Sequence, residues 1–153
     1  MKPHKTIRSL LVHLKDKTKD SEKCEVVYKI ECKNCDEVYI GETGRKFETR
    51  LKEHIRDTQQ HERSNFTRSE RKNSLTQYNK SAITDHVTQK NHVINWEGAR
   101  TVDRESDTRT RQVKEAINIK RQSSTMNRDE GAYKFASAYD SVFAAHPCSG
   151  RNS

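Results

Sequence analysis

The stretch that decides the fold reads Glu25-Val26-Val27-Tyr28-Lys29-Ile30-Glu31, then Cys32-Lys33-Asn34-Cys35-Asp36, then Glu37-Val38-Tyr39-Ile40-Gly41. Its outer parts are rich in Val, Ile and Tyr, residues that suit a pleated, half-buried surface. Its middle is short and polar. Two such segments around a five-residue turn predict a β-hairpin. Gly44 closes the second strand, and the period of the pattern then changes. From about Lys46, the residues Phe47, Leu51 and Ile55 recur at i, i+4 and i+8. That spacing predicts a helix to about Thr58 with this stripe facing inward.

Further along, residues 59–78 are polar and aperiodic and read as a mobile insert. Ser81 can cap a helix to about Lys90, with Ala82, Ile83 and Val87 inward. Residues 93–102 hold a third strand centred on Ala99 to Val102. A third helix is expected from about Asp107 to Arg121, with Val113, Ala116, Ile117 and Lys120 in helical register. The order β-β-α-α-β-α predicts an α/β (α+β) fold, with a small three-stranded, mainly antiparallel sheet flanked by helices. The expected division is a basic leader or linker at 1–23, a folded domain at 24–131 and a loosely ordered tail at 132–153.

Composition narrows the function classes. Of 153 residues, 30% are hydrophobic and 34% charged, so the core must be small. The net charge of +8 favours a polyanionic partner, nucleic acid or an acidic membrane face, although a solvated basic surface would look the same. No apolar run is long enough for a spanning helix. His13 and Lys15 interrupt the Leu10-Leu11-Val12 run, so no signal-peptide core is expected there. An intracellular, reducing location follows as the expectation, and there four cysteines suggest metal ligands or free thiols.

Four groups of residues suggest chemistry. Tyr28 and Tyr39 sit on paired strands, from which both hydroxyls can project toward one phosphate; they can equally be ordinary strand tyrosines. Arg50 and His54 are four apart, on one helix face, where a guanidinium can clamp phosphate and an imidazole can move a proton. The alternative is a solvated charged face shared with Glu53. Glu115 is expected to point away from the apolar stripe of the third helix, either holding Mg²⁺ or pairing with Arg111. Cys32-x2-Cys35 is a half-site for Zn²⁺, and His86-x5-His92 can complete it, with His61 as a rival ligand; Cys24 and Cys148 stay unassigned. Trp96 is expected to pack beside the sheet.

The ordered set Tyr28, Tyr39-Ile40-Gly41, Arg50, His54, Glu115 and Asn127 resembles the GIY-YIG nuclease family. With the cysteine pair between the two tyrosine motifs, Glu42-Thr43-Gly44-Arg45, and Asn127-Arg128-Asp129-Glu130-Gly131, the chain looks like the endonuclease domain of Penelope-like retroelements over about residues 5–140. The resemblance implies a GIY-YIG fold and a metal-dependent endonuclease that nicks DNA. Tyr28 would be general base or relay, and Tyr39 would orient water or phosphate. Arg50 and His54 would act beside them, and Glu115 would bind Mg²⁺ (or Mn²⁺). Arg45, Gly41 and Asn127 would contact phosphate or DNA. Cys32, Cys35, His86 and His92 would bind a structural Zn²⁺. It also implies a nuclear protein working with a reverse transcriptase domain, without a membrane and in an unknown oligomeric state. The alternatives are a non-catalytic zinc-stabilised nucleic-acid-binding module, an inactive decayed copy, or an enzyme acting on branched or damaged DNA. The chain departs from the pattern at Val26-Val27-Tyr28, where the family carries Gly, and at Glu25, where the Penelope-like proteins tend to have Gly. Ser124-Thr125-Met126 also lacks the usual proline before the terminal Asn.

Overall fold

The computed structural model describes residues 19–63, 81–128 and 131–145. Its elements are β1 (Val26–Cys32), β2 (Val38–Thr43), α1 (Phe47–Arg63), α2 (Ala82–Lys90), β3 (Ile94–Arg104), α3 (Thr108–Lys120) and the short α4 (Asp140–Ala145). The leader up to residue 18, most of the 59–78 insert, and the last eight residues with Cys148 lie outside the described residues, as does the His61 side chain.

The sheet has the order β2-β1-β3 and is antiparallel throughout. β1 is the central strand, and Val26, Val27, Tyr28 and Ile30 are all fully buried. Its residues alternate between two cores. Val26, Tyr28 and Ile30 pack with Phe47, Ile83, Ile94 and Met126, under α1 and α2. Val27 packs with Val38, Ile40 and Ile119, under α3. Each large apolar side chain buried in this way contributes about 1.5–3 kcal/mol. Trp96 packs against the first core, as expected.

β1 begins one residue later than the hairpin pattern suggested, because Glu25 adopts φ 59°. That left-handed conformation suits glycine and costs another residue about 1–2 kcal/mol. It turns the chain so that the Glu25 carbonyl accepts from Glu105 N at 2.8 Å. The departure from Gly at this position therefore has a physical cost.

The helices keep their expected places, but the inward faces differ. In α1 the buried residues are Phe47, His54 and Thr58, while Leu51 and Ile55 are half-buried. The apolar count misplaced this face because two polar residues occupy it. α1 also continues past Thr58 to Arg63, taking up the start of the expected insert. Ser81 caps α2, accepting from Thr84 N, and Asp107 caps α3 in the same way through Thr110 N. In α3 the buried residues are Arg111, Glu115, Ala116 and Ile119. Glu115 therefore lies on the inward face, contrary to the expectation from Val113 and Ile117, which are only half-buried. The tail differs too: a 3₁₀ turn at Ser137–Tyr139 leads into α4, and Lys120 holds Asp140 at 2.7 Å.

Candidate active site and metal centre

Tyr28 and Tyr39 share a sheet face without being directly opposite. Tyr28 pairs with Gly41, and Tyr39 pairs with Ile30. The two rings are diagonal neighbours with centroids 6.2 Å apart. Gly41 makes this possible: a Cβ there would stand 2.7 Å from Tyr28 Cζ and Oη and 2.9 Å from Tyr39 Cε1. The predicted phosphate contact at Gly41 is thus, in the fold, the space into which the first tyrosine projects.

Tyr28 is fully buried, and its hydroxyl lies 2.9 Å from His54 Nε2. Burial pushes the Tyr28 phenol well above its ordinary range, and Tyr39 adds to this, with Arg50 opposing. Tyr39 is shifted upward as well, mainly by burial, again opposed by Arg50. His54 has no exposure, and burial together with the Arg50 charge lowers its pKa to about 4, with Glu53 opposing. Its imidazole is therefore neutral at pH 7 and stands as a hydrogen-bond partner for Tyr28, while its Nδ1 has no partner. The sequence offered His54 either as a group that moves protons near neutral pH or as part of a solvated charged face; in the fold it is neither exposed nor charged near neutrality. His54 turns inward because it lies on the buried side of α1.

Arg50 and Arg45 meet at Glu53. Arg45 donates through both terminal nitrogens, at 2.7 and 2.9 Å, and Arg50 donates at 2.9 Å. Arg45 remains largely exposed, with 62% of its side chain accessible. It is available to solvent rather than set into the cleft. Asn127 uses its whole amide on β2: Oδ1 accepts from Ile40 N at 3.0 Å, and Nδ2 donates to Ile40 O at 2.7 Å. Met126 N donates to Val38 O at 2.8 Å, so residues 124–127 run alongside the free edge of β2.

These elements enclose an open cleft of about 430 Å³ lined by Tyr39, Glu42, Arg50, Glu115, Asn127 and Arg128, among others. Tyr28 and His54 lie behind its wall. The cleft wraps the β2 edge, so Arg50 reaches it from α1 on one sheet face and Glu115 from α3 on the other. The sequence offered Arg111 only as a partner for Glu115 and gave no sign that it joins Glu42. Arg111 pairs with Glu42 at 2.5 Å, a bond across 69 residues that no local spacing reveals.

A second centre lies at the hairpin turn. The ligand atoms of Cys32, Cys35, His86 and His92 all fall within 4.8 Å of one another. Cys32 Sγ is 3.7 Å from His92 Nδ1 and 3.4 Å from His86 Nε2; Cys35 Sγ is 3.7 Å from His86 Nε2; and the two histidine nitrogens are 3.2 Å apart. Around one tetrahedral Zn²⁺, bond lengths of about 2.3 Å to sulfur and about 2.0–2.1 Å to nitrogen give N···N near 3.3 Å and S···N near 3.6 Å. The donor set fits a metal ion of this kind. Glu37 supports it, lying 3.0 Å from His86 Nδ1 and fixing the ring, as carboxylates do behind metal-bound histidines. Asn34 N donates to Cys32 Sγ at 3.4 Å, and Asn34 Oδ1 accepts from Val93 N at 2.7 Å. The knuckle is thus tied to the loop that carries His92.

The neutral, buried His54 has a measurable consequence. Its folded pKa of about 4 lies below the unfolded value near 6.5, so the unfolded chain binds the extra proton first. The stability it contributes is full above pH 6.5 and is lost as pH falls through 4. The difference is about 3 kcal/mol at most. Urea unfolding at pH 7 and at pH 4.5 should show this loss, and His54→Gln, which puts a hydrogen-bonding amide in place of the imidazole but cannot titrate, should flatten the slope by close to one proton. An unchanged slope would mean that His54 is not held neutral.

No curated protein and no solved structure matches the chain. The GIY-YIG catalytic domain family matches residues 24–101, from the residues before β1 through most of β3. The match takes in both tyrosines, Arg50, His54 and the Cys/His cluster, and stops short of Glu115 and Asn127. Among the described residues no helix is long and apolar enough to cross a membrane. A match of this extent, on a three-stranded antiparallel sheet whose central strand and one edge form the tyrosine hairpin, makes the chain a member of the GIY-YIG nuclease family.

Proposed function

We propose that the chain is a metal-dependent endonuclease that hydrolyses a phosphodiester bond of DNA, leaving a nick. The observation that carries this reading is the convergence of Tyr39, Arg50 and Glu115 on one cleft from three separate elements. A module that only bound nucleic acid would not need them to meet. A Mg²⁺ or Mn²⁺ ion takes one or two carboxylates plus water and phosphate, and Glu115 facing an open cleft suits that donor set. When bound, such an ion would neutralise charge at the phosphate and acidify water. Arg50 holds a non-bridging phosphate oxygen. The Tyr39 hydroxyl orients the attacking water or the phosphate. Tyr28 sits too deep and is too weak an acid to be a free base; it acts as a relay between Tyr39 and the neutral His54. Asn127 keeps β2 in place beside the site.

A finer reading is a Penelope-like retroelement endonuclease, cutting in the nucleus to prime a reverse transcriptase domain. It is supported by the cysteine knuckle between the two tyrosine motifs and by a Cys₂His₂ set with zinc-like spacing. The same basic, metal-stapled fold would also serve a non-catalytic DNA-binding module, and the strained Glu25 at the head of β1 is what a decayed copy would carry.

The deciding measurement is conversion of supercoiled plasmid to open circle in Mg²⁺. Wild type should nick, and Glu115→Ala and Arg50→Ala should each be slower by about 10²–10³, the usual loss for a group that stabilises transition-state charge. Folded wild type that nicks nothing would leave the binding module as the better reading. Glu115→Ala nicking at the wild-type rate would remove the metal assignment.

A further inference from the structure

Arg111 is a buried cation, 4% exposed, one helical turn before Glu115. Its Nε donates to Glu42 Oε2 at 2.5 Å. Its Nη1 donates to the carbonyls of Glu105 at 3.0 Å and Ser106 at 3.4 Å, and its Nη2 to Thr108 Oγ1 at 3.4 Å. One guanidinium thus gathers β2, the β3–α3 loop and the first turn of α3. Gly44 gives it room, since a Cβ there would lie 3.3 Å from Nη2. The apolar docking of α3 uses Ala116 and Ile119, toward the other end of the helix. Without Arg111, the N-terminal turn of α3 that leads into Glu115 would lose its polar tie to β2, which carries Tyr39.

Glu42 itself lines the cleft, with a quarter of its side chain accessible. An uncompensated carboxylate there would repel DNA phosphate and compete with Glu115 for a cation. The Arg111 charge cancels it. A buried ion pair is poor evidence for stability alone, because an apolar pair of similar volume often serves as well. Its place between the two walls of the cleft suggests a functional reason for keeping it.

We propose that Arg111 and Glu42 are positioning residues for the cleft: the pair fixes Glu115 relative to Tyr39 and keeps Glu42 from binding the catalytic cation. This rests on the assignment of Glu115 as the metal carboxylate, so the test separates the two. The experiment compares wild type, Glu42→Gln/Arg111→Met, Arg111→Lys and Glu115→Ala as full chains. The double variant removes both charges and keeps their approximate volume. Arg111→Lys keeps the charge but loses the fork. The readouts are the thermal transition, the Mg²⁺ concentration for half-maximal plasmid nicking, and Mn²⁺ binding to the complex with an uncleavable duplex. The last is followed by the paramagnetic resonance of free Mn²⁺ against a duplex-only blank.

The expected result is a folded double variant whose Mg²⁺ requirement rises, and whose Mn²⁺ affinity falls, by about tenfold or more, with Arg111→Lys intermediate. If the double variant does not fold, Arg111→Lys carries the test alone. A folded variant with wild-type Mg²⁺ dependence and wild-type Mn²⁺ affinity overturns the proposal, while loss of nicking in Glu115→Ala keeps the catalytic reading. Glu115→Ala with wild-type nicking and Mn²⁺ binding overturns both.

Discussion

A zinc ion held by Cys32, Cys35, His86 and His92 would be structural, and stripping it is expected to unfold the domain. The magnitudes decide this. A structural Cys₂His₂ zinc contributes apparent binding energy of about 10 kcal/mol or more near pH 7. A domain of this size has a net stability of about 5–15 kcal/mol in total. Only 30% of this chain is hydrophobic, so its core has little surplus to spend on metal-free folding. The four ligands also join parts of the chain that are far apart in sequence: the hairpin turn, α2 and the start of β3. Removing the ion releases the turn from α2 and leaves two thiols and two imidazoles packed without their common partner. Cys32→Ser should bind less than one equivalent of zinc and lose its cooperative thermal transition, and a strong chelator should do the same to wild type. Cys24→Ser is the control, since the Cys24 thiol donates to the Glu22 carbonyl at 3.9 Å and lies outside the cluster. A chelated protein that melts cooperatively at the native temperature would show that the site carries no such load.

The hairpin, the helix that follows it and the Cys/His set were legible in the sequence because each rests on local signals. Alternation marks β1 and β2, and Ser81 and Asp107 mark the starts of α2 and α3. A Cys-x2-Cys turn has few other uses. What was not legible was which way polar side chains point. His54 and Thr58 occupy the buried face of α1, and Arg111 and Glu115 that of α3. Hydrophobic periodicity assigns such residues to solvent by default. His54 and Arg111 are inward because partners from distant strands satisfy them, Tyr28 for His54 and Glu42 for Arg111, while Thr58 donates to carbonyls of its own helix. Pairing of this range depends on the assembled sheet. Glu115 likewise lies on the cleft side of α3 rather than on an outer face, and Tyr28 lies behind the cleft surface rather than at it. Which residues gather at the cleft was therefore more legible than how each side chain is placed there.

Replacing Gly41 by alanine is expected to damage both fold and activity, through a single methyl group. The new Cβ would lie 2.7 Å from Tyr28 Cζ and Oη and 2.9 Å from Tyr39 Cε1, closer than carbon atoms approach in proteins. One partner must move, and either movement has a cost. Gly41 is in the middle of β2, paired with Tyr28 on the central strand. The Tyr28 ring is fully buried, with Phe47 at 5.1 Å and His54 at 6.1 Å between ring centroids, and its hydroxyl is held by His54. Shifting it breaks that bond and leaves the buried His54 ring without its Tyr28 partner. Overpacking of this sort costs about 1–3 kcal/mol, and the lost bond adds to it. The alternative is for Tyr39 to move toward the cleft. A displacement of about 1 Å at a reacting group can cost about 10²-fold in rate. Gly41→Ala should therefore melt well below wild type and, at temperatures where it is still folded, nick plasmid at least 10²-fold more slowly in Mg²⁺. Tyr28→Phe in the same background removes only the contact to Oη, so it should recover part of the stability and little of the activity. Wild-type melting and nicking in Gly41→Ala would mean that the two tyrosines do not pack across that glycine, and the geometry assigned to the cleft wall would fall with it.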